Sequence, residues 1–336
     1  MRRSTLLAAG AAGLAACGRD EAPAFTSRWV GASAERGHRL RGKSGSLPAP
    51  AVRRRAGALV LGGGIAGLSA LRALVRAGHG DAQLLELEDE AGGNSRGHVL
   101  RGRPCPLGAH YLPLPGPQAR GVSEWLHEIG LLRHELGRTV PDERHLCHSP
   151  QERLFMAGAW QDGLLPSAEG RPATLAQYRA FGQRVGHLQR TLGFAVPSHR
   201  VPWAAGHAAL DAETFAAWLA REGLGDERLL AHLDYACRDD YGAGLASVSA
   251  WAGIHYFASR HGFHAPGDDA GDREGVLTWP EGNAWLTRKL AAPLVQPSGG
   301  RLHTGRVVQR IEAGRHGVTV DALDVATHTL ERWQAA

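Results

Sequence analysis

The feature that most constrains this chain is a glycine-spaced turn between a short apolar strand and an amphipathic helix. Gly62, Gly64 and Gly67 follow the apolar residues 58–61, and apolar residues recur at helical spacing over residues 65–77. In such a turn the first glycine allows the tight bend, the second lets the backbone approach a pyrophosphate, and the third lets helix and strand pack closely. The helix N-terminus adds free N–H groups and a partial positive charge. The pattern therefore predicts a dinucleotide-binding unit.

An acidic residue follows the next predicted strand, over residues 83–87. Glu86 stands at the end of that strand, where a carboxylate can accept hydrogen bonds from ribose hydroxyls. The same carboxylate repels a 2′-phosphate by charge. The sequence thus favours a dinucleotide other than NADP.

A longer stretch carries a family resemblance. Glu86-Leu87-Glu88-Asp89-Glu90-Ala91-Gly92-Gly93, together with the glycine turn, resembles the FAD-dependent amine oxidase superfamily, which includes monoamine oxidases, phytoene desaturases and protoporphyrinogen oxidases. Its members carry Gly-Gly-Arg a few residues after the acidic strand end. Here Asn94 holds the third position and Arg96 follows two residues later. The resemblance implies FAD as the cofactor, and Gly92-Gly93 argues against an NAD-dependent dehydrogenase.

Three more segments fit the same family. Residues 106–111, Pro-Leu-Gly-Ala-His-Tyr, resemble the segment that passes under the flavin ring, with Pro106 in place of an aspartate. Residues 279–283 resemble a Pro-x-Gly-Gly segment near the flavin, and Val308 resembles the valine whose backbone meets the adenine. Motif and resemblance together predict these cofactor-binding residues: Gly62, Gly64, Ile65, Ala66, Gly67, Glu86, Gly93, Asn94, Arg96, Gly108, Ala109, His110 and Val308. The resemblance transfers no catalytic residue.

The order of predicted elements indicates the fold class. A strand–helix–strand start, a helical middle and a strand-rich end predict an α/β fold, in which a Rossmann-like FAD-binding domain is interrupted by a largely helical substrate domain. The predicted divisions are 56–150 for the first part of the FAD-binding domain, 151–297 for the substrate domain and 298–336 for its second part. Helices are predicted over residues 122–132, 174–192, 212–222, 227–237, 248–261 and 284–294, and a turn over 322–324.

The family's remaining segments have no counterpart in this sequence. Family members continue with a further strand, more of the substrate domain and a closing glycine-rich segment that holds the flavin ring. The chain is therefore expected to be the N-terminal portion of a longer protein. We expect it to leave one edge of the nucleotide sheet unpaired, to expose apolar surface there, and to bind FAD weakly or fold poorly on its own.

The first residues read as a targeting segment. Arg2-Arg3 precedes an apolar stretch over residues 6–16, which is too short to span a bilayer core of roughly 30 Å. Leu14-Ala15-Ala16-Cys17 resembles a lipobox, and the arginine pair resembles a twin-arginine signal. Residues 1–17 are thus predicted to be a signal peptide, and 18–55 a tether. The protein is expected to be exported and anchored to the membrane from the periplasm through a lipidated Cys17, with a plain cleaved signal as the alternative.

Composition excludes other classes of partner. The net charge of +5 in 336 residues is modest, and basic residues do not alternate with aromatic ones in a stripe, so nucleic acid is not expected. The four cysteines show no Cys-x-x-Cys spacing, which predicts neither a disulfide framework nor a metal site.

By resemblance, the expected function is an FAD-dependent oxidoreductase that acts on a small molecule, with an amine as the leading substrate class. The alternatives are a desaturase acting on a C–C bond and a truncated, non-catalytic FAD-domain protein.

Overall fold

A computed structural model describes residues 27–41, 47–147, 152–268, 275–295 and 300–336. Its architecture is a mixed α/β fold, which confirms the predicted class. Its nucleotide-binding part contains the strands β2 (Leu59–Leu61), β3 (Gln83–Leu85) and β12 (Leu302–His303), with helix α2 (Ile65–Arg76) after β2. The three strands form a parallel sheet in the order β12-β3-β2.

A four-stranded sheet adjoins this unit in the order β1-β15-β14-β13. The strand β1 runs parallel to β15, and the other pairs are antiparallel. The bounds are β1 Val52–Ala56, β13 Arg306–Gly314, β14 Gly317–Asp324 and β15 Thr329–Ala335. The turn predicted over residues 322–324 was wrong. Ala322 and Asp324 belong to β14, and both are buried by the pairing of that strand with its neighbours.

Five helices form a separate unit with its own core. Their bounds are α4 Pro172–Thr191, α5 Ala205–Asp211, α6 Phe215–Arg221, α7 Glu227–Tyr241 and α8 Ala250–Ala258. The helix predicted over 212–222 is α6, and it begins three residues later than predicted, because Thr214 caps its N-terminus by accepting a hydrogen bond from the N–H of Ala217. The preceding helix α5 was not predicted. Helix α7 runs one turn past its predicted end, to Gly242 in the left-handed region at φ +65°.

The other strands of the described ranges form four two-stranded pairs, and two further helices each follow a strand of these pairs in the chain. Their bounds are β4 Gly97–Leu100, β5 Arg103–Pro106, β6 Tyr111–Pro113, α3 Arg120–Glu128, β7 Leu132–Glu135, β8 Arg138–Pro141, β9 Arg153–Met156, β10 Ala159–Asp162, β11 Val276–Thr278 and α9 Ala284–Ala291. The pair β7–β8 was not predicted. Leu132, the last residue of the helix predicted over 122–132, belongs to β7 instead.

Strand β11 and helix α9 pack on the nucleotide-binding side of the molecule. The strand β11 pairs with β6, and Leu277, Leu286 and Leu290 share a buried cluster with Leu68 and Leu71 of α2. The boundary prediction placed residues up to 297 in the substrate domain, whereas these side chains fill the nucleotide-binding core. The covering helix is needed because a parallel sheet buries both of its faces.

The segment predicted as a tether contains regular structure. Helix α1 (Ala34–Arg39) lies within it, as does β1. The side chain of Ser33 caps α1 by accepting a hydrogen bond from the N–H of Arg36. A six-residue helix is too short to show an amphipathic pattern, so apolar periodicity could not predict α1.

Strand β2 is an edge strand within the described part of the chain. It has a hydrogen-bonded neighbour on the β3 side only, and Leu61 and Ile65 at its carboxyl end are exposed.

The described ranges contain no helix of the length and apolar character needed to cross a membrane. The predicted signal peptide and Cys17 lie outside the described residues. Cys105, Cys147 and Cys237 form no disulfide with one another.

Candidate cofactor-binding site

The glycine turn is shaped by two close backbone approaches. Gly62 adopts φ +98°, a left-handed conformation that glycine reaches without steric cost, and its N–H donates to the carbonyl of Leu85 on β3 at 2.8 Å. A Cβ added at Gly67 would lie 1.8 Å from the carbonyl oxygen of Gly62. The sequence folds locally this way because no side chain fits at Gly67. Helix α2 begins directly after Gly64, and its first N–H groups have no intrahelical acceptor.

Glu86 is buried beside this turn. One carboxylate oxygen accepts a hydrogen bond from the N–H of Gly63, and the other accepts from the N–H of Glu88 at 2.8 Å. A Cβ added at Gly63 would lie 2.8 Å from the same carboxylate, so the glycine allows the contact. The carboxylate is thus held in place at the carboxyl end of β3.

The Gly92-Gly93 segment packs directly against the turn. The N–H of Gly92 donates to the carbonyl of Gly63 at 2.8 Å, and Gly64 and Gly92 form a parallel bridge. A Cβ added at Gly93 would lie 3.1 Å from the Cα of Gly64. Arg96 follows as a buried residue, and its Nε donates to the carbonyl of Gly93 at 3.2 Å.

A third segment, residues 106–110, lies against the second. The N–H of Ala109 donates to the carbonyl of Asn94 at 2.9 Å, and the N–H of Leu107 donates to the carbonyl of Arg96 at 3.0 Å. A Cβ added at Gly108 would lie 2.4 Å from the carbonyl oxygen of Asn94. The close approach of the two chains therefore depends on glycine at position 108.

The turn before helix α9 closes this arrangement. The N–H of Asn283 donates to the carbonyl of Ala109 at 3.0 Å, and its Nδ2 donates to the carbonyl of Tyr111 at 2.9 Å. Gly282 adopts φ +64°, and a Cβ added there would lie 2.6 Å from the Cβ of Pro106. Residues 279–283 and 106–111, which were assigned separately from the sequence, are therefore in direct contact.

The structure brings most of the predicted residues into one continuous surface. Glu86 and the segment 93–96 each contact the turn at 62–67, and the segment 108–109 contacts the segment 93–96. His110 is exposed, with Nδ1 3.3 Å from the carbonyl oxygen of Gly108. Val308 lies on β13, where its side chain packs in a small cluster with Leu85, the residue before Glu86.

The residues present fit a dinucleotide. The Cβ position of Gly62 faces open space, and Gly62, Ile65, Ala66 and Gly93 are exposed around the N-terminus of α2. Asn283 Oδ1 is buried without a hydrogen-bond partner among the described residues, which leaves an acceptor beside the segment 106–111. An anionic pyrophosphate suits the exposed helix N-terminus, and the Glu86 carboxylate suits ribose hydroxyls.

Three tyrosines gather where the nucleotide-binding side meets the helical unit. Burial raises the pKa of Tyr256 to about 12. The Arg260 guanidinium, 4.5 Å from the centre of the ring, opposes this rise, whereas Asp240, Asp239 and Tyr111 add to it. Burial also raises the pKa of Tyr235, again with a contribution from Tyr111. The phenol of Tyr111, next to the 106–110 segment, is therefore close to α7 and α8. Asp240 is paired with Arg260 at 2.9 Å, whereas the side chain of Asp239 is exposed.

The sequence motifs did not predict two residues that contact the site, Glu88 and Arg36. Glu88 is buried, and its carboxylate accepts a hydrogen bond from the N–H of Ser33 at 2.8 Å. Arg36 donates to Asp89 Oδ1 at 2.8 Å and to the carbonyl of Leu87 at 3.2 Å. No local pattern links residues 33–36 to 87–89, because the contact spans about fifty positions of chain. In the described ranges no three histidine, cysteine or acidic side chains converge as metal ligands.

The chain belongs to the flavin-containing amine oxidoreductases, whose family model matches residues 65–328. Membership confirms the predicted family and FAD as the predicted cofactor. No curated protein sequence matches the chain.

Solved structures share the fold. A putrescine oxidase bound to putrescine superposes with a TM-score of 0.56 at 18% identity, over 84% of this chain and 57% of that protein. A cyclohexylamine oxidase from Brevibacterium oxydans IH-35A gives a TM-score of 0.54 at 21% identity, over 83% of this chain and 56% of that protein. A fatty acid isomerase from P. acnes gives 0.50 at 20% identity, over 80% and 56%. The chain thus spans little more than half the length of each of these proteins.

Proposed function

We propose that this protein is an FAD-dependent oxidoreductase that oxidises an amine. One observation carries the proposal. In a chain of this family, three glycine-bearing segments pack in series: the turn at 62–67 begins helix α2, the segment 92–96 packs on that turn, and the segment 106–110 packs on 92–96. Each segment needs glycine for a close backbone approach. The arrangement therefore keeps side chains out of the contacts between the segments.

The chain's own residues have separable roles toward the cofactor. The turn at 62–67 and the N-terminus of α2 offer N–H groups to a pyrophosphate, and Glu86 offers a carboxylate to a ribose. The segment 106–110 and Asn283 form the surface further along the site. When bound, FAD supplies the hydride acceptor, while the protein supplies orientation and electrostatics.

The comparisons with solved structures favour an amine as the substrate class. The likeness to putrescine oxidase and cyclohexylamine oxidase supports the same substrate class. The likeness to a fatty acid isomerase keeps C–C bond chemistry as the alternative.

The test is to load the purified full chain with FAD and mix it anaerobically with a panel of amines, fatty acids and a buffer blank. Bleaching of the flavin absorbance by an amine, followed by peroxide formation on admitting air, supports the proposal. Bleaching by no amine while FAD stays bound contradicts it. Conversion of a fatty acid without net bleaching supports the alternative instead.

A second candidate is an FAD-binding protein without oxidase activity of its own. The observation that favours it is the open edge of β2, which leaves Leu61 and Ile65 exposed next to the cofactor site. Bound FAD that no substrate reduces, but that sodium dithionite does, is the result expected for this candidate.

We further propose that the protein is exported and lipidated at Cys17, on the basis of the lipobox-like residues 14–17 and the arginine pair. Intact-mass measurement of the protein from bacterial membranes tests this. A diacylglyceryl adduct that is absent from Cys17→Ala supports lipidation, and a soluble cleaved form without the adduct contradicts it.

A further inference from the structure

A short N-terminal segment lies on the cofactor site. Residues 31–39, here called the strap, comprise Gly31, the cap Ser33 and helix α1. The strap precedes the region matched by the family model, which begins at residue 65. Its contacts are therefore a property of this chain that the family match does not describe.

The strap holds the loop that follows β3 through Arg36. The guanidinium donates to Asp89 Oδ1 at 2.8 Å and to the carbonyl of Leu87 at 3.2 Å, and it lies 3.8 Å from Glu88 Oε2. The arginine side chain is 19% exposed, so solvent screens these contacts only partly. One residue of the strap thus contacts three consecutive residues of the loop.

Glu88 connects the strap to the cofactor-binding residues. On one side its carboxylate accepts from the N–H of Ser33 at 2.8 Å and faces Arg36. On the other side it lies 3.9 Å from Arg96 Nη1. Its own N–H donates to the carboxylate of Glu86 at 2.8 Å. A buried carboxylate needs partners, and the strap supplies two of these three, Ser33 and Arg36.

Arg96 is contacted by the strap directly as well. Its Nη1 lies 3.5 Å from the carbonyl oxygen of Gly31, at the far end of the strap. Both the guanidinium of Arg96 and the carboxylate of Glu86 are therefore linked to residues 31–36 through one network of hydrogen bonds and charges.

We propose that the strap positions the FAD-binding residues, and that Arg36 is its central positioning residue. With Arg36 and Ser33 occupying Glu88, the Glu88–Arg96 pair stays loose at 3.9 Å, and the buried Arg96 guanidinium stays hydrogen-bonded to the carbonyl of Gly93, which is exposed beside the N-terminus of α2. Without Arg36, Glu88 draws Arg96 toward itself and away from Gly93. The inference concerns cofactor retention and does not depend on the amine oxidase activity.

The experiment is an FAD titration of the full chain, in which quenching of flavin fluorescence reports binding. The FAD affinities of Arg36→Ala and Arg39→Ala are compared with that of the parent protein. Arg39 lies on the same helix, and its ion pair within the described residues is with Glu35 one turn away, at an exposed position, which makes it the matched control. A charge-assisted contact of this kind predicts FAD affinity about tenfold weaker in Arg36→Ala. Arg39→Ala is expected to stay within about twofold of the parent protein.

A double-mutant cycle with Arg96→Ala separates positioning from general destabilisation. Because Arg36 acts through Glu88 on Arg96, Arg36→Ala should weaken FAD binding far less when Arg96 is already alanine. Arg36→Lys, which keeps one charge, should recover part of the affinity. An unchanged affinity in Arg36→Ala overturns the inference. So does an equal loss in both backgrounds, or a fall in the melting temperature of the apoprotein with no change in FAD affinity.

Discussion

The helical unit and the nucleotide-binding site are held by different kinds of interaction. The helical unit packs around Phe181, whose ring centroid lies 4.8 Å from that of Phe263 and 5.4 Å from that of Phe257 in edge-to-face arrangements. The nucleotide-binding site has strands of two or three residues and depends on backbone approaches that only glycine permits. The helical unit is therefore stabilised by buried side chains. The nucleotide-binding site depends on glycine positions where a side chain would block a close backbone contact.

The largest expected effect is on the helical unit. Phe181 is fully buried, so Phe181→Ala should lower the free energy of unfolding by about 3–5 kcal/mol through lost contacts and a cavity. Urea unfolding followed by circular dichroism measures it, with the exposed Phe155→Ala as the control. FAD affinity under native conditions should change little. A large loss of affinity in a folded Phe181→Ala protein would show that the two regions are not independent.

Gly67→Ala should have the next largest effect, on cofactor binding. The added Cβ would lie 1.8 Å from the carbonyl oxygen of Gly62, so the turn must open and the helix must move away. We expect FAD affinity to fall by about a hundredfold or more, the size of a severe steric change. Gly80→Ala is the control, since a Cβ there faces open space. If Gly67→Ala kept the FAD affinity of the parent protein, the turn at 62–67 would not be part of the FAD site.

Glu86→Gln should have a moderate effect. The amide keeps one acceptor oxygen but turns a donor toward the N–H of Gly63 or Glu88, which both need acceptors. FAD affinity should fall by about tenfold, measured by the same titration. The exposed Glu90→Gln serves as the control. Equal affinities in the two variants would mean that Glu86 does not bind the ribose.

The smallest expected effect is a pH dependence of the four-stranded sheet. Arg332 donates to both carboxylate oxygens of Asp321, at 2.7 and 2.8 Å, and this pairing holds the pKa of Asp321 below its ordinary value. A lowered carboxyl pKa stabilises the fold above the unfolded value of about 3.9, and that stability is lost as pH falls through the folded value. The urea midpoint should therefore fall less steeply in acid for Asp321→Asn than for Asp239→Asn. Parallel curves would contradict this.

The sequence predicted the parts of the site that local geometry dictates. Gly62, Gly64, Gly67 and Glu86 could be assigned because the motif, its strand and its helix lie within about thirty residues. The contacts of Arg36 and Glu88 could not be predicted, since they join distant segments through single side chains. The end of α7 and the start of α6 were misplaced because capping residues, rather than apolar periodicity, set those boundaries.

The central claim is that the glycine segments form an FAD site in this chain. Titration of the purified full chain with FAD, followed by flavin fluorescence and by the visible spectrum, tests it most directly. The account predicts saturable one-to-one binding in the parent protein and in Gly80→Ala, of an affinity weak enough to measure by titration, and its loss in a folded Gly67→Ala. A folded parent protein that shows no saturable binding, or a Gly67→Ala variant that binds FAD as well as the parent does, would contradict it.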